Sequence, residues 1–594
     1  MNIEEFIVPS SFMARTMRSI CLLSLALYTP IAIIELRGTP EVVRKDADLK
    51  IPMRDGVMLA ADLYRPAGPR PFPVLLSRTP YNKSRVAEQA EQFVGHGYAV
   101  VAVDSRGLNA SEGEWSPYVD EAKDGYDTQV WVDNQSWCNG KIGMFGSSYP
   151  GFTQLLPARF RHPSVKALIP ISAQSDNFGS IWYTDGLYHL ALGLRWGANQ
   201  AAIARGEKRP EINWTKAVNH LPLQTALDSV ETKSKFVADT LKHSSYDEFW
   251  QKMSVRNDYP EMDVPAFHIT GWYDDLVHET IRNFTGMRKA SRSDNARRGQ
   301  RLLIGPWGHG IGKNSQYGDV DFGEQAILDP IKIQTEWFDH YLKNKDDLES
   351  DSPVRIFVMG KNEWRNESEW PLSRAQPTKL FLRSTDGANT RFGDGRLDKQ
   401  PPINEQPDTY RYDPRNPVKT HGGHGCCGGG LTPHGPLDQR LTQERQDVLV
   451  YTSEPLKHDT EVTGTIRVCL FFSTNVSDPD FFATVSDVNP DGQTILITEG
   501  IIRTRFRKSL KIPSFLKPGD IHEINIDCWE TSNTFKAGHK IRLHITSSNF
   551  PRFNRNLNTE LPLGQGTYQD IRVAHQTIYH NQSYPSSMLL LVIP

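Results

Sequence analysis

Short apolar runs alternate with stretches of helical periodicity over the first half of the chain. The runs Pro73 to Ser77, Ala99 to Asp104, Ile142 to Phe145, Val165 to Ser172, Pro265 to Thr270 and Arg301 to Gly305 are nearly continuous in hydrophobicity, as strands covered on both faces must be. Between them, Val86 to His96, Tyr126 to Gln135 and Phe152 to Phe160 carry apolar residues at helical spacing. Strands alternating with helices predict a mostly parallel, doubly wound sheet. Ahead of it, Lys50 to Met53 and Met58 to Tyr64 flank the turn signal Arg54-Asp55-Gly56 and predict a hairpin. From Ser172 to Asp263 the rhythm changes. Trp182, Leu187, Leu190, Leu192, Trp196, Phe236, Phe249 and Trp250 are spread through polar, helix-favouring sequence without a good strand, which predicts a helical insertion.

Beyond the amphipathic stretch Ile331 to Leu342 and the charged segment Lys343 to Asp351, strands follow one another without helices. Val354 to Met359, Thr378 to Arg383, Asp447 to Tyr451, Val462 to Phe472, Phe481 to Val488, Ile521 to Cys528 and His539 to Thr546 are separated by Pro, Gly, Asn and Asp turns. That pattern predicts a β-sandwich of jelly-roll type. With 594 residues the chain exceeds what one hydrophobic core usually supports, so several cores are expected.

Charge removes one class of partner. Lys+Arg 67 against Asp+Glu 70 leaves the chain close to neutral, without the basic surface that phosphate neutralisation needs, so no nucleic-acid partner is expected. Six cysteines, at 21, 138, 426, 427, 469 and 528, have neither disulfide-framework nor CxxC spacing. Arg15 and Arg18 precede the apolar stretch Ile20 to Ile34, broken by Pro30; it reads as an N-terminal extension or as a signal sequence lacking a clear cleavage site. The chain is accordingly cytoplasmic, or exported if that segment is a signal. Asn213-Trp214-Thr215 and Asn283-Phe284-Thr285 match the glycosylation pattern.

The run Gly143-Met144-Phe145-Gly146-Ser147-Ser148-Tyr149-Pro150-Gly151 places Ser148 on a sharp turn between strand and helix, where an acyl-transfer nucleophile sits. A serine hydroxyl needs an imidazole to take its proton and a carboxylate to hold that imidazole in the correct tautomer. Thr270-Gly271-Trp272-Tyr273-Asp274-Asp275 and Gly305-Pro306-Trp307-Gly308-His309-Gly310 each follow a predicted strand and supply them, with Asp275 as the alternative to Asp274. The chain order Ser148, Asp274, His309 is that of α/β-hydrolases. An oxyanion needs prepositioned donors; the candidates are the Tyr149 backbone N–H and the Tyr81 phenol. The expected organisation is an extension over 1–40, an α/β-hydrolase domain over 41–172 and 263–350, a helical cap over 173–262 shaping the substrate cavity, and a jelly roll over 351–594.

Several motifs together carry a family resemblance. Pro52-Met53-Arg54-Asp55-Gly56-Val57, Thr79-Pro80-Tyr81, Asp104-Ser105-Arg106-Gly107, Ser111-Glu112-Gly113, the serine turn, Gly271-Trp272-Tyr273-Asp274 and Gly305-Pro306-Trp307-Gly308-His309 resemble the cocaine esterase-like hydrolases. That group is related to the X-Pro dipeptidyl-peptidases and the glutaryl and α-amino-acid ester acylases. Tyr412-Asp413-Pro414, Asp447 to Ser453, Ser486-Asp487-Val488, Gly538 to Leu543 and Ser547 to Arg552 extend the likeness through the last third. The resemblance implies a serine hydrolase needing no cofactor, with Ser148 as nucleophile, Asp274 as acid, His309 as base, and Tyr81 and the Tyr149 amide as oxyanion donors.

Two departures bear on substrate. Family members that select an α-amino acyl group place carboxylates shortly after the triad acid; here Leu276 and Val277 stand there. Nor is there length for the N-terminal helical domain of the X-Pro peptidases. An ester or amide of an uncharged or anionic acyl group is thus expected over a free N-terminal dipeptide, and carboxylic esters over amides, with an acylase or dipeptidyl-peptidase as the related alternative and a non-catalytic carbohydrate- or partner-binding protein as the alternative of another class. A homo-oligomer stays open. In His421-Gly422-Gly423-His424-Gly425-Cys426-Cys427 the glycines read as a flexible loop rather than a metal site. Arg503, Arg505 and Arg507 alternate as on one salt-bridged strand face.

Overall fold

The structure, a computed structural model, describes residues 43–346, 348 and 352–594. The apolar segment with Arg15, Arg18 and Cys21 lies outside the described residues, as does any reading of it as a signal. The first sheet is built from β1 (Val43–Pro52), β2 (Met58–Pro66), β3 (Phe72–Thr79), β4 (Ala99–Asp104), β5 (Cys138–Ser147), β6 (Val165–Ile171), β7 (Ala266–Gly271), β8 (Gln300–Gly305), β9 (Val354–Val358) and β10 (Glu363–Glu367). Its spatial order is β1-β2-β4-β3-β5-β6-β7-β8-β9-β10, parallel from β4 to β9 with antiparallel strands at the two edges.

Alternation along each strand distributes side chains to two helical layers. Leu75 and Phe145 join Phe93 of helix Ala87–Gly95 and Trp337, Phe338 and Leu342 of helix Pro330–Lys343 on one face. Val74, Leu76 and Met144 join Val132 of helix Glu121–Asp133 and Phe152, Leu155 and Leu156 of helix Tyr149–Ala158 on the other. β4 is buried at every position, which accounts for its unbroken apolar sequence.

The α/β-hydrolase architecture is as the pattern implied, but one boundary moves. Val354 to Met359, assigned above to the jelly roll with a start at 351, extends the hydrolase sheet: Leu302, Leu303 and Ile304 pair in parallel with Val354, Arg355 and Ile356. Ile356 and Phe357 are wholly buried, so this strand fills both faces of an open sheet edge, which its composition alone cannot distinguish from a sandwich strand. β10 then turns back on it.

Residues 173–262 are mainly helical, with Leu190–Ala204, Trp214–Asn219, Lys235–Lys242 and Glu248–Gln251, plus a minimal hairpin pairing Tyr183–Thr184 with Leu187–Tyr188. The C-terminal part forms an eleven-stranded β structure around the long strand Thr460–Thr474, which pairs with His522–Phe535 on one side and with Ala574–Tyr579 and Ser587–Ile593 on the other.

Two local expectations are corrected. The strand Thr494–Arg503 ends at Arg503 and turns into Thr504–Phe506, so the three arginines do not share a face. Arg503 instead pairs with Asp480 at 2.9 and 2.8 Å, and Arg505 with Asp478 at 2.7 Å. Asn283 is wholly buried, donating to the Ala173 carbonyl at 3.0 Å and accepting from the Tyr259 hydroxyl at 3.0 Å. It cannot serve as a glycan acceptor in the folded chain.

Strand β5 must lie close to the helix behind it. A Cβ at Gly143 would stand 2.6 Å from the Phe338 ring. Gly143→Val is expected to lower unfolding stability by about 1–3 kcal/mol through overpacking, read as a lower urea midpoint at unchanged m-value; an unmoved midpoint would refute the close fit.

Candidate active site

At the end of β5 the backbone turns through Ser148 with φ 66° and ψ −124°. That is a costly conformation for a residue with a side chain, found where strain is part of a site. Its amide donates to the Ile171 carbonyl at 2.9 Å, tying the turn to the end of β6. The flanking glycines are required by contact rather than by composition. A Cβ at Gly146 would lie 2.5 Å from Pro150 Cβ, and one at Gly151 2.8 Å from the Ile171 oxygen. Ser148 caps helix Tyr149–Ala158, so the Tyr149 amide is among the first N–H groups, which have no intrahelical acceptor.

The candidate acid and base come from the next two strand ends. β7 and β8 stay in register to Gly271 opposite Gly305, and the loops beyond them interlock: Trp272 N–H donates to Gly305 O at 2.8 Å and Tyr273 N–H to Trp307 O at 2.9 Å. Gly271 permits this, since a Cβ there would meet Trp307 O at 2.2 Å. Asp274 is completely buried and accepts from Thr270 Oγ1, the Leu276 amide and His309 Nδ1, each at 3.0 Å. Asp275 lies farther off, its nearest oxygen 4.0 Å from Nδ1. Of the two carboxylates, Asp274 is the one that hydrogen-bonds the ring.

Electrostatics follow from that geometry. Burial pushes the Asp274 carboxyl up, but the charge and hydrogen bond of His309 hold it below the ordinary range. Burial pulls His309 down, yet Asp274 outweighs it and the imidazole is raised. Burial, with Asp274 alongside, pushes Asp275 upward. With Nδ1–H committed to Asp274, His309 presents Nε2, a buried atom without a partner among the described residues. The following amide, Gly310 N–H, donates to Ser172 Oγ at 3.1 Å, bringing this loop to the same end of β6 that holds the Ser148 amide.

On the opposite side stands Tyr81. Trp196 Nε1 lies 3.2 Å from its oxygen, and an indole N–H can only donate, so the phenol proton remains free for another acceptor. Burial raises Tyr81 far above its ordinary value, keeping it a neutral donor.

Residues not foreseen from sequence hold this side in place. Tyr149 is buried and donates to Glu121 Oε1 at 2.9 Å while accepting from the Tyr118 amide at 3.0 Å. Glu121 in turn pairs at 2.8 Å with Arg78, which has no exposed surface. Arg78 precedes the Thr79-Pro80-Tyr81 motif by one residue, but its partner lies 43 positions on and no local pattern connects the two.

A loop of the β-rich part completes the surroundings. Far from being loose, the His421 to Cys427 segment is tied down, Gly423 and Gly435 exchanging backbone hydrogen bonds at 2.9 and 2.8 Å and Gly425 N–H donating to Tyr273 O at 3.0 Å. A Cβ at Gly423 would strike the Glu499 carboxylate at 2.0 Å; its glycine serves close approach. The thiol of Cys427 is lowered by its hydrogen bond with Cys426.

Likeness to a known protein matches this arrangement. Over 579 residues the chain is 37% identical to the cocaine esterase of Rhodococcus sp. (strain MB1 Bresler), covering 92% of this chain and 98% of that one. The chain belongs to the cocaine esterase-like serine hydrolases. Residues 55–311 match the X-Pro dipeptidyl-peptidase (S15 family) model, and residues 346–589 the X-Pro dipeptidyl-peptidase C-terminal non-catalytic domain. Among solved structures, an aminopeptidase from a marine sediment Thaumarchaeota archaeon superposes with TM-score 0.81 at 26% identity over 93% of this chain and 97% of that one. An α-amino acid ester hydrolase superposes with TM-score 0.80 at 26% identity over 95% and 100%. In this cocaine esterase-like chain the fold therefore runs through both parts, the jelly roll included.

The buried ion pair behind Tyr149 is testable. Glu121→Gln leaves Arg78 without its counter-charge and is expected to cost about 3–5 kcal/mol, whereas Tyr149→Phe, which removes one hydrogen bond to the carboxylate but no charge, should cost about 1.5–3 kcal/mol. Denaturant unfolding of both variants measures the difference; equal losses would remove the ion pair from the account.

Proposed function

We propose that this serine hydrolase cleaves small carboxylic esters of uncharged acyl groups through an acyl-enzyme on Ser148. The observation that carries the reading is the unpartnered Nε2 of His309, on a ring whose other nitrogen is fixed by a buried carboxylate. As Ser148 Oγ attacks the carbonyl carbon, its proton passes to Nε2 and the carbonyl π electrons move onto oxygen. Tyr81 and the Tyr149 amide face the developing oxyanion, and being fixed dipoles they need no reorganisation as charge appears. The tetrahedral intermediate collapses by expelling the alcohol, which takes the proton from His309. Water, deprotonated by the same imidazole, then attacks the acyl-enzyme and releases the acid.

Several features support an uncharged acyl group. Leu276 and Val277 are wholly buried where an ammonium would need carboxylates, and an ammonium placed there would be desolvated without compensation. Asp275 supplies no substitute, because its carboxyl is itself pushed toward the neutral form. Around Tyr81, the rings of Trp115, Tyr118, Tyr149, Trp182, Trp196 and Phe236 pack with centroids 4.4 to 6.5 Å apart, an apolar aromatic wall suited to a hydrophobic acyl chain or ring.

Turnover of p-nitrophenyl esters is expected to vanish in Ser148→Ala and to fall about a hundredfold in Tyr81→Phe. A fluorophosphonate should label the native protein and not Ser148→Ala; absence of labelling on the native chain would sink the enzyme reading in favour of a binding protein. A panel of esters, acyl amides and X-Pro dipeptide anilides separates the ester reading from the acylase and peptidase ones.

The pH profile has a fixed sign. Neutral His309 is the active form, so kcat/KM falls as pH drops through its pKa, which Asp274 raises. Asp274→Asn removes the raising charge. The acidic limb should move to lower pH while kcat drops about 10⁴-fold; an unmoved limb would contradict the pairing.

A further inference from the structure

We propose that His309, Cys426 and Cys427 form a binding site for a thiophilic divalent cation such as Zn²⁺ or Cd²⁺, and that its occupancy reversibly shuts the hydrolase off. A ring nitrogen of His309 and the two Sγ atoms all lie within 4.8 Å of one another. Since Nδ1 is committed to Asp274 at 3.0 Å, the nitrogen left to coordinate is the buried, unpartnered Nε2. Both cysteines are free thiols, Cys426 buried and Cys427 exposed.

Adjacent cysteines ordinarily point apart, and the backbone here shows why these two do not. Cys427 has φ 57°, the left-handed region, and Gly428 N–H folds back onto the Cys426 carbonyl at 2.6 Å. That tight turn places consecutive side chains on one side. The anchoring of Gly425 to Tyr273 and of Gly423 to Gly435 holds the turn against the His309 loop. With Zn–S near 2.3 Å and Zn–N near 2.0–2.1 Å, a tetrahedral site needs donors roughly 3.5–3.8 Å apart. Side-chain rotations of about 1 Å would suffice. Asp274, whose carboxylate clusters with the same imidazole, adds negative potential. A groove of about 400 Å³ lined by His309, Gly310, Tyr317, Cys427 and His434 gives an entry path and room for a water as fourth ligand.

Binding moves no electrons between partners. Each thiol releases its proton to solvent as its sulfur bonds the ion, and the Nε2 lone pair that would accept the serine proton is donated to the metal instead. Inhibition rests on the role proposed above for His309; metal binding does not, and the two are measured separately.

Reduced protein titrated with CdCl₂ should develop an ultraviolet thiolate-to-cadmium band of two-thiolate intensity. Cys427→Ser and Cys426→Ser should each halve it, and His309→Gln should weaken affinity at least about tenfold while keeping the band. In parallel, Zn²⁺ should abolish ester turnover of the native protein, EDTA should restore it, and Cys427→Ser should need at least about tenfold more Zn²⁺ for half-inhibition. Absence of the band, a band indifferent to Cys427→Ser, or equal Zn²⁺ sensitivity of native and Cys427→Ser proteins would overturn the proposal. A normal cadmium titration in a protein without ester turnover would instead refute the catalytic reading and leave the metal site standing.

Discussion

A carboxylate with no solvent exposure dictates the arrangement of the site. Left unpaired, the Asp274 charge would be prohibitively expensive at that depth, and its three donors come from different places: the end of β7, its own turn, and the loop after β8. Satisfying them requires the two loops to interlock through backbone contacts, which is why Gly271 must lack a side chain. Once the loops are locked, the imidazole has a single tautomer and a single direction. The chemistry proposed at Ser148 is thus inherited from the solvation needs of a buried anion.

The oxyanion side obeys a different logic. There the donors are neutral, an amide at a helix start and a phenol kept protonated by burial, and what holds them is apolar packing backed by the Arg78–Glu121–Tyr149 chain. Neutral dipoles in a dry aromatic wall are oriented before any charge develops, which is the condition under which electrostatic stabilisation is most effective.

Much of this was readable from residue order. Strand-length apolar runs located β3 to β8 to within a few residues, because strands buried on both faces have little freedom in composition, and Ser148, Asp274 and His309 stood out because each follows such a run. What escaped has a physical cause. Val354 to Val358 looked like a sandwich strand because burial on both faces leaves the same imprint in either sheet. Thr494–Arg503 was missed because Thr494, Thr498, Glu499 and Gly500 break the apolar run along a strand that is buried at every position. The ties of the His421 to Cys427 loop are made by backbone groups, which leave no trace in side-chain type, and the glycine density pointed instead to a flexible loop. Arg78 and Glu121 are far apart in the chain, and pairing across such a gap is decided by the sheet.

The contact between Gly425 and Tyr273 joins the C-terminal module to the very turn that presents Asp274, and the Tyr273 hydroxyl reinforces it by donating to Leu496 O at 3.2 Å. A module named non-catalytic in the family model is here a brace for the reacting groups. Trimming the chain to a minimal hydrolase would strip the acid turn of this backing, and a foreign jelly roll in its place would have to present an amide and a carbonyl where Gly425 and Leu496 do.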